Sequence, residues 1–198
     1  MKKEDNMSQI LFINACVREN SRTLELARTV LKKLGKDFTE LKLYDTSLAP
    51  LDTEGMRARD AAFSAKDFSD DRFALARQFA AAETIVIAAP YWDLMFPAIL
   101  KVYFENITVS GLTFVYGERG IPEGLCNAKQ LIYVTTSGGP IIHNFGYDYV
   151  CAIAKSFFGI EELRCVRAEG LDIRGADVSS IMQRAKDVVS NDLSVNCS

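Results

Sequence analysis

The segment from Thr84 to Leu94, TIVIAAPYWDL, constrains the fold of this chain more than any other segment. Its apolar half predicts a strand that is buried on both faces, and the chain leaves this strand through Pro90 and two large aromatic residues. In open α/β sheets, ligands bind in the crevice at the carboxyl ends of the strands. The segment therefore predicts a parallel sheet that presents a flat cofactor at that edge.

The size and charge of the chain limit the classes of protein to consider. Its 198 residues, 48% of them hydrophobic, predict one domain over residues 1–198, with loose ends at 1–8 and 191–198. The net charge of -3 and the scattered basic residues give no positive surface for nucleic acid. The polar N-terminus lacks the apolar core of a signal peptide, and no run reaches the roughly 18 apolar residues that span a bilayer. We therefore expect a cytoplasmic protein that binds neither membrane nor nucleic acid.

The cysteines and the histidine restrict the chemistry. The five cysteines form an odd set without C-x-x-C spacing, which predicts reduced thiols and neither a disulfide framework nor a zinc site. They are Cys16, Cys126, Cys151, Cys165 and Cys197. His143 is the only histidine, so the chain cannot form a His-rich metal centre and offers little support for a Ser-His-Asp hydrolase. No metal is expected. A hydrolase built on Cys16 lacks a histidine in a recognisable partner position.

Short β-rich segments alternate with segments of helical period along the chain. Strands are predicted at residues 9–14, 38–43, 84–89, 129–136 and 163–170, and helices at residues 23–34, 70–80, 97–106, 147–158 and 178–189. Residues 44–69 are predicted as a variable loop. Residues 110–120 are predicted as a small extended segment or hairpin that lies over the cofactor edge.

Five strands that alternate with five helices predict an α/β fold with a parallel sheet and helices on both faces, because each crossover is right-handed. The first, third and fourth strands are apolar throughout, as central strands are, whereas the second and fifth alternate or carry charge, as edges do. The strand order 2-1-3-4-5 follows. In this order the loops after strands one, three and four meet at the topological switch point.

The loop after the first strand, NACVRENSRTLEL, contains no glycine, so the G-x-G-x-x-G turn of dinucleotide-binding folds is absent. Instead, Arg18, Asn20, Ser21, Arg22 and Thr23 bring hydroxyl groups, guanidinium groups and amide N–H groups to a helix N-terminus. This set suits a compact terminal phosphate. A simple helix cap with solvated arginines explains the same residue types equally well.

The other two loops add an aromatic wall and a polar rim. Residues 90–94 supply aromatic faces and backbone amides, although Tyr91 and Trp92 would also suit a core or an interface. Residues 136–139, TSGG, supply two hydroxyl groups and two glycines whose N–H groups a ligand can approach closely, and a plain turn would look the same. Together the three loops match the phosphate, the isoalloxazine ring and the pyrimidine edge of FMN.

Several spaced motifs carry a family resemblance over nearly the whole chain. They are the aromatic-rich segment at residues 85–104, GLTFVY at 111–116, PEGL at 122–125, TSGG at 136–139 and AEG at 168–170. In this order they resemble the flavodoxin-like NAD(P)H:quinone oxidoreductase superfamily, and most closely its FMN-dependent NADH-azoreductase branch. The resemblance implies a flavodoxin-like three-layer fold that binds FMN.

Residue by residue, the resemblance implies a set of cofactor contacts. They are Cys16, Ser21, Arg22 and Thr23 around the phosphate and ribityl chain, Pro90, Tyr91, Trp92, Asp93 and Leu94 along the isoalloxazine ring, and Thr136, Ser137, Gly138 and Gly139 at its pyrimidine side. The family usually carries asparagine at the position of Asp93, commonly a methionine-tyrosine pair at Tyr91-Trp92, and often an arginine near Ser137. An ionised Asp93 near the ring would disfavour the anionic reduced flavin and lower its potential.

The resemblance also implies an activity. NADH or NADPH would act as co-substrate, and hydride would pass through FMN to a flat acceptor, such as a quinone or an azo compound, by a ping-pong mechanism. His143 is the candidate that donates a proton or hydrogen bond to the acceptor, and Phe114 and Tyr116 are candidates to stack over it. The family implies a homodimer in which the flavin lies at the subunit interface and the partner closes the acceptor pocket.

Two other classes of protein remain open on the same fold. A flavodoxin-like electron carrier would bind FMN and exchange single electrons with protein partners without NAD(P)H, but such carriers are typically much more acidic than this chain. A flavin-free binding or regulatory module is the second alternative. The sequence indicates neither which acceptor is reduced nor which of NADH and NADPH is used.

Overall fold

The computed structural model describes residues 9–191. The predicted loose ends lie outside the described residues, except for Asn191, which ends the last helix. The strands are β1 (Ile10–Asn14), β2 (Phe38–Lys42), β3 (Thr84–Ala88), β4 (Phe114–Tyr116), β5 (Pro122–Gly124), β6 (Gln130–Thr136) and β7 (Glu162–Ala168). The α-helices are α1 (Arg22–Leu34), α2 (Thr53–Ala65), α3 (Ala74–Ala81), α4 (Ala98–Ile107), α5 (Phe145–Ile153) and α6 (Val178–Asn191).

The main sheet has the order β2-β1-β3-β6-β7, and all of its neighbouring strands are parallel. This confirms the order predicted from the apolar character of the strands. Every residue of β1 is buried, whereas β2, at the edge, is mostly exposed. The pattern arises because a central strand contacts helices on both faces, and the charged residues of an edge strand remain in water.

Alternate residues along the central strands pack into two separate cores, one on each face of the sheet. On one face, Leu11 and Ile13 pack with α3, α4 and α5, and on the other face, Ile10 and Phe12 pack with α1 and α6. Leu26 of α1 is fully buried, and burial of a side chain of this size stabilises the fold by about 1.5–3 kcal/mol. The result is the three-layer arrangement that the sequence predicts.

Helix α2 lies where the sequence predicts a variable loop, and that prediction is wrong. The helix begins at the cap residue Asp52, whose carboxylate accepts a hydrogen bond from the Gly55 amide at 2.8 Å, and it ends at Lys66 with φ of 53°. Ala62 is its only buried residue, so the helix has no apolar stripe. Periodicity finds only helices with a buried face, and Asp52 was the one available signal.

The extended segment predicted at residues 110–120 is present as β4, which forms an antiparallel hairpin with β5 beyond that range. The hairpin does not lie over the cofactor edge of its own chain. Helix α4 carries the chain back across the sheet, so the hairpin precedes β6 at the amino-terminal edge. There the Asn127 amide donates to the Ala80 carbonyl at 2.8 Å, and the Lys129 amide donates to the Glu83 carbonyl at 3.1 Å. Because β3 and β6 are parallel, the helix that joins them returns to the edge where β6 begins, and the segment after the helix lies there.

Candidate cofactor site

A cavity of about 300 Å³ opens at the carboxyl ends of β1, β3 and β6. Its lining comes from the three predicted loops and from the loop after β7. The lining residues are Val17, Arg18, Asn20, Ser21, Arg22, Thr23, Pro90, Tyr91, Trp92, Thr136, Ser137, Gly138, Leu171 and Asp172. The structure therefore brings together most of the side chains that the sequence singles out, at the switch point of the sheet.

The N-terminus of α1 points hydrogen-bond donors at one side of this cavity. Ser21 is the cap residue, and its hydroxyl accepts a hydrogen bond from the Leu24 amide at 3.3 Å. The amides of Arg22 and Thr23, in the first turn, donate no hydrogen bond within the described residues 9–191. Together with the partial positive charge of the helix end, these N–H groups favour an anion.

The guanidinium of Arg22 bridges this side of the cavity to the loop after β7. Its Nη1 lies 2.8 Å from Oδ1 of Asp172 and donates to the Leu171 carbonyl at 3.3 Å. Sequence reasoning missed Leu171 and Asp172, because 150 residues separate the two members of this ion pair. The available signal was their place directly after the AEG motif, at the end of a strand next to β6.

Thr23 and Thr136 do not present their hydroxyls to the cavity in the way the sequence suggests. Their Oγ1 atoms lie 2.6 Å apart and share a hydrogen bond, and the two residues are only 1% and 9% exposed. A buried hydroxyl needs such a partner, since an unpaired one loses its hydrogen bonds to water. This pair therefore fixes the start of α1 to the end of β6.

The glycine loop, residues 136–139, is held firmly by its neighbours. The Ser137 amide donates to the Ala168 carbonyl at 3.0 Å, and the Ser137 hydroxyl donates to the Gly139 carbonyl at 2.5 Å. The amides of Gly138 and Gly139 donate to no other group in the part of the chain that the structure describes. A Cβ atom at Gly138 would lie 2.5 Å from Oδ2 of Asp172, so a larger residue would require the Asp172 side chain to move.

The aromatic loop, residues 90–95, contains a strained turn. The backbones of Trp92 and Met95 exchange two hydrogen bonds of 2.9 and 2.8 Å around Asp93 and Leu94, whose φ angles are 51° and 68°. Positive φ at both central positions is the type I′ geometry, which favours glycine and asparagine. Non-glycine residues in this region cost roughly 1–3 kcal/mol each, and such strain clusters at functional sites. The turn leaves Trp92 40% exposed at the cavity.

Tyr91 connects the aromatic loop to the segment that carries His143. Its amide donates to the Thr136 carbonyl at 3.0 Å, and its hydroxyl donates to the His143 carbonyl at 2.8 Å. The exposed imidazole of His143 stacks on Phe145, with ring centroids 5.2 Å apart and an interplanar angle of 7°. His143 lies beside the cavity and is not part of its lining.

Four other predicted site residues also lie outside the cavity lining: Cys16, Asp93, Leu94 and Gly139. The thiol of Cys16 lies 3.8 Å from the Ala88 carbonyl, and burial raises the pKa of this thiol above its usual value. A thiol with a raised pKa remains protonated at neutral pH and is a poor nucleophile. This finding disfavours hydrolysis through Cys16.

Two further properties concern the whole described region. Between residues 9 and 191, no three histidine, cysteine, aspartate or glutamate side chains converge in a way that could hold a metal ion. None of the helices described for this chain combines the length and the apolar character that a membrane span requires.

The donors at the cavity suit a phosphorylated flat ring. The helix N-terminus and Arg22 provide groups for a phosphate, Trp92 provides an aromatic face, and the Gly138 amide provides a hydrogen-bond donor for a polar edge. The sheet order and the position of the cavity define an α/β protein of the flavodoxin type. A family model described as Flavodoxin-like fold (Flavodoxin_2) matches residues 8–193, and the chain belongs to this family.

Curated relatives that match this chain are named as oxidoreductases. The chain is 33% identical over 182 residues to the FMN-dependent NADH:quinone oxidoreductase of Clostridium perfringens, a match that covers 87% of this chain and 91% of the relative. It is 36% identical over 163 residues to the protein of the same name from Pseudomonas savastanoi pv. phaseolicola, with 80% and 79% covered.

Solved structures share the fold. An azoreductase from Bacillus anthracis superposes with a TM-score of 0.79 at 22% identity, over 93% of this chain and 97% of that one. An FMN-dependent NADH-azoreductase from Bacillus anthracis in complex with FMN superposes with a TM-score of 0.75 at 23% identity, over 95% and 98%. At these identities the likeness concerns the fold.

Proposed function

We propose that this protein is an FMN-dependent NAD(P)H oxidoreductase that reduces a flat acceptor such as a quinone or an azo compound. The observation that carries the proposal is the meeting of an anion-binding helix end, an exposed tryptophan and a glycine loop around one cavity of about 300 Å³. Curated relatives that cover most of the chain and are named FMN-dependent NADH:quinone oxidoreductases support it.

The residues of the cavity would hold FMN in a defined direction. The amides of Arg22 and Thr23 and the Arg22 guanidinium would bind the phosphate, and Trp92 would pack on the ring. The amides of Gly138 and of its neighbour Gly139, which lies outside the cavity lining, would donate to the pyrimidine edge. When bound, FMN supplies the redox chemistry, since it accepts hydride from NAD(P)H and passes it to the acceptor.

The chain itself contributes electrostatics and shape. Amide donors that are fixed before the reaction stabilise negative charge that develops at the pyrimidine edge, and the hydrogen bonds of Ser137 keep the glycine loop in place. In this proposal the nicotinamide and the acceptor use the same exposed face of the flavin, so the two substrates bind in turn. Ping-pong kinetics follow. Double-reciprocal plots of initial rate against NAD(P)H concentration, at several acceptor concentrations, should give parallel lines.

His143 is proposed as the donor of a proton or hydrogen bond to the acceptor. The contact between the Tyr91 hydroxyl and the His143 carbonyl holds this residue beside the aromatic loop, and its ring is exposed. Replacement of His143 by glutamine retains a hydrogen-bond donor and removes the proton-transfer group. Comparison of His143→Gln with His143→Ala would separate the two roles, since only hydrogen bonding survives in the glutamine variant.

A homodimer is proposed for the complete site. Tyr116 is 60% exposed, and its hairpin lies at the amino-terminal edge of its own sheet. It could therefore stack over an acceptor only in a neighbouring copy of the chain. Light scattering after gel filtration tests the dimer. Mixing of Tyr116→Ala with Trp92→Ala subunits tests the sharing, because a mixed dimer regains one intact site.

We also propose that the chain is one domain and acts in the cytoplasm, where reduced nicotinamide nucleotides are available. None of the four cysteines within residues 9–191 forms a disulfide, as a reducing compartment favours. A single cooperative unfolding transition that coincides in two spectroscopic probes would support one domain.

Anaerobic mixing of the FMN-loaded protein with NADH or NADPH tests the assignment. Rapid bleaching of the flavin absorption, followed by its return when a quinone is added, is the expected result. A flavin that is bound but inert to both nucleotides would indicate an electron carrier instead. A colourless protein that does not bind added FMN would indicate a flavin-free module.

A further inference from the structure

Asp172 occupies an unusual position in the cavity, because its carboxylate contacts two of the elements proposed to hold the cofactor. Oδ1 lies 2.8 Å from Nη1 of Arg22, and Oδ2 lies 2.5 Å from the point where a Cβ atom of Gly138 would stand. The Asp172 amide also donates to the Gly138 carbonyl at 2.9 Å, which fixes the backbone of the residue. An acidic side chain therefore lies between the helix N-terminus and the glycine loop.

The helix N-terminus favours a bound anion, and the negative charge of Asp172 repels such an anion. A phosphate that binds near Arg22 meets a guanidinium that already has a carboxylate partner, and it places two negative groups near the same cation. The Asp172 side chain is 69% exposed, so water screens part of this repulsion and the ion pair is weak. A carboxylate in this position reduces the gain that a phosphate obtains from Arg22.

We propose that Asp172 is a specificity-determining residue that competes with the cofactor phosphate for Arg22, and so lowers the preference of the site for FMN over the unphosphorylated flavin, riboflavin. This inference rests on the proposed function, because it assumes that the cavity binds flavin. Riboflavin carries the same ring and ribityl chain without the phosphate, so the competition affects FMN alone.

The test compares dissociation constants of FMN and riboflavin, measured by flavin fluorescence, for the wild-type protein and Asp172→Asn. The asparagine keeps the shape of the side chain and removes its charge. We expect FMN to bind roughly threefold to fivefold more tightly to the variant, as the loss of one exposed ion-pair competitor allows, and riboflavin affinity to remain unchanged. The gain should shrink at high ionic strength.

Asp37→Asn is the matched control, since Asp37 lies directly before β2 at the opposite edge of the sheet. It makes the same change in net charge and should leave both affinities unchanged. A similar gain in FMN affinity in this control would assign the effect to net charge and overturn the proposal. Weaker FMN binding by Asp172→Asn would also overturn it, because the carboxylate would then hold Arg22 ready for the phosphate.

A double variant separates competition from simple repulsion. In an Arg22→Gln background, Asp172 has no guanidinium to occupy, so Asp172→Asn should no longer improve FMN binding. A gain that persists without Arg22 would contradict the competition.

If the wild-type protein binds neither flavin, the proposed function fails together with this inference. If it binds FMN and is bleached by NADH but Asp172→Asn binds FMN no more tightly, only the inference fails.

Discussion

The glycine loop and the aromatic loop form two sides of one cavity, but they are built in opposite ways. Thr136 and Ser137 of the glycine loop are buried, and backbone hydrogen bonds tie the loop to the loop after β7. Their hydroxyl groups are paired with Thr23 and with the Gly139 carbonyl. The aromatic loop projects Trp92 and Leu94, 40% and 43% exposed, from a turn with two non-glycine residues at positive φ. One side is fixed by satisfied polar contacts, and the other is held in a strained conformation.

The difference indicates a division of roles. Fixed amides at the glycine loop need no reorganisation when negative charge develops near them, which is what electrostatic stabilisation requires. An aromatic side chain on a strained, exposed turn provides a large contact area at the mouth of the cavity. We therefore expect changes in the glycine loop to alter mainly stability, and changes in the aromatic loop to alter mainly flavin binding.

The largest expected effect concerns the hydroxyl pair that joins α1 to the glycine loop. Thr136→Val leaves the Thr23 hydroxyl buried without its partner, which should lower the free energy of unfolding by about 2 kcal/mol in urea denaturation. Thr135→Val is the matched control on the same strand, because the Thr135 hydroxyl is buried and takes no part in the hydrogen bond between Thr23 and Thr136. It should lower the free energy of unfolding clearly less. Equal losses in the two variants would contradict this account of the loop.

Next in size is the effect of the exposed indole. Trp92→Ala should weaken FMN binding about tenfold, since an aromatic contact with a flat ring contributes roughly 1–3 kcal/mol, while stability should change little. Trp92→Phe retains an aromatic face and should recover most of the affinity. Unchanged FMN affinity in Trp92→Ala would show that this side chain serves packing alone.

The strain in the aromatic loop gives a smaller effect of opposite sign. Leu94→Gly should raise the free energy of unfolding by about 0.5–1 kcal/mol, because glycine adopts the left-handed conformation without a Cβ clash. Leu94→Ala keeps the Cβ atom and should bring no such gain. Thermal unfolding of both variants measures the difference, and equal transition temperatures would mean that the turn is not strained.

The smallest expected effect concerns the charge at Asp93. Asp93→Asn suits the positive φ of this turn and removes a negative charge next to Trp92, which lines the cavity. The midpoint potential of the bound flavin should rise by on the order of 10–20 mV, the size expected for one charge that acts largely through water. Spectroelectrochemical titration measures this shift. An unchanged potential would place the carboxylate outside the influence of the ring, and a lower potential would contradict the expected sign.

The sequence predicts the strand order and the position of the site, because both depend on which strands are buried. The uniformly apolar strands identify the centre of the sheet, and the sheet order then brings together Arg22, Trp92 and Gly138. Burial also explains the failure to predict α2, which covers the protein without an apolar face. The assignment of the whole chain to one domain stays a prediction.

Other features of the site depend on contacts that no local pattern encodes. The hydrogen bond between Thr23 and Thr136 joins residues 113 positions apart, and each residue alone looks like a ligand. The type I′ turn at Asp93 and Leu94 carries leucine at the second central position, where glycine normally marks such a turn. Asp172 reaches the site because β7 pairs with β6, which no local pattern at residue 172 encodes.

A crystal structure of the protein grown with FMN tests the central claim most directly. The account predicts flavin density across the cavity, with the phosphate at the amides of Arg22 and Thr23, the ring against Trp92 and the pyrimidine edge at Gly138 and Gly139. An empty cavity at saturating FMN, or a flavin bound with its phosphate at the glycine loop, would contradict it.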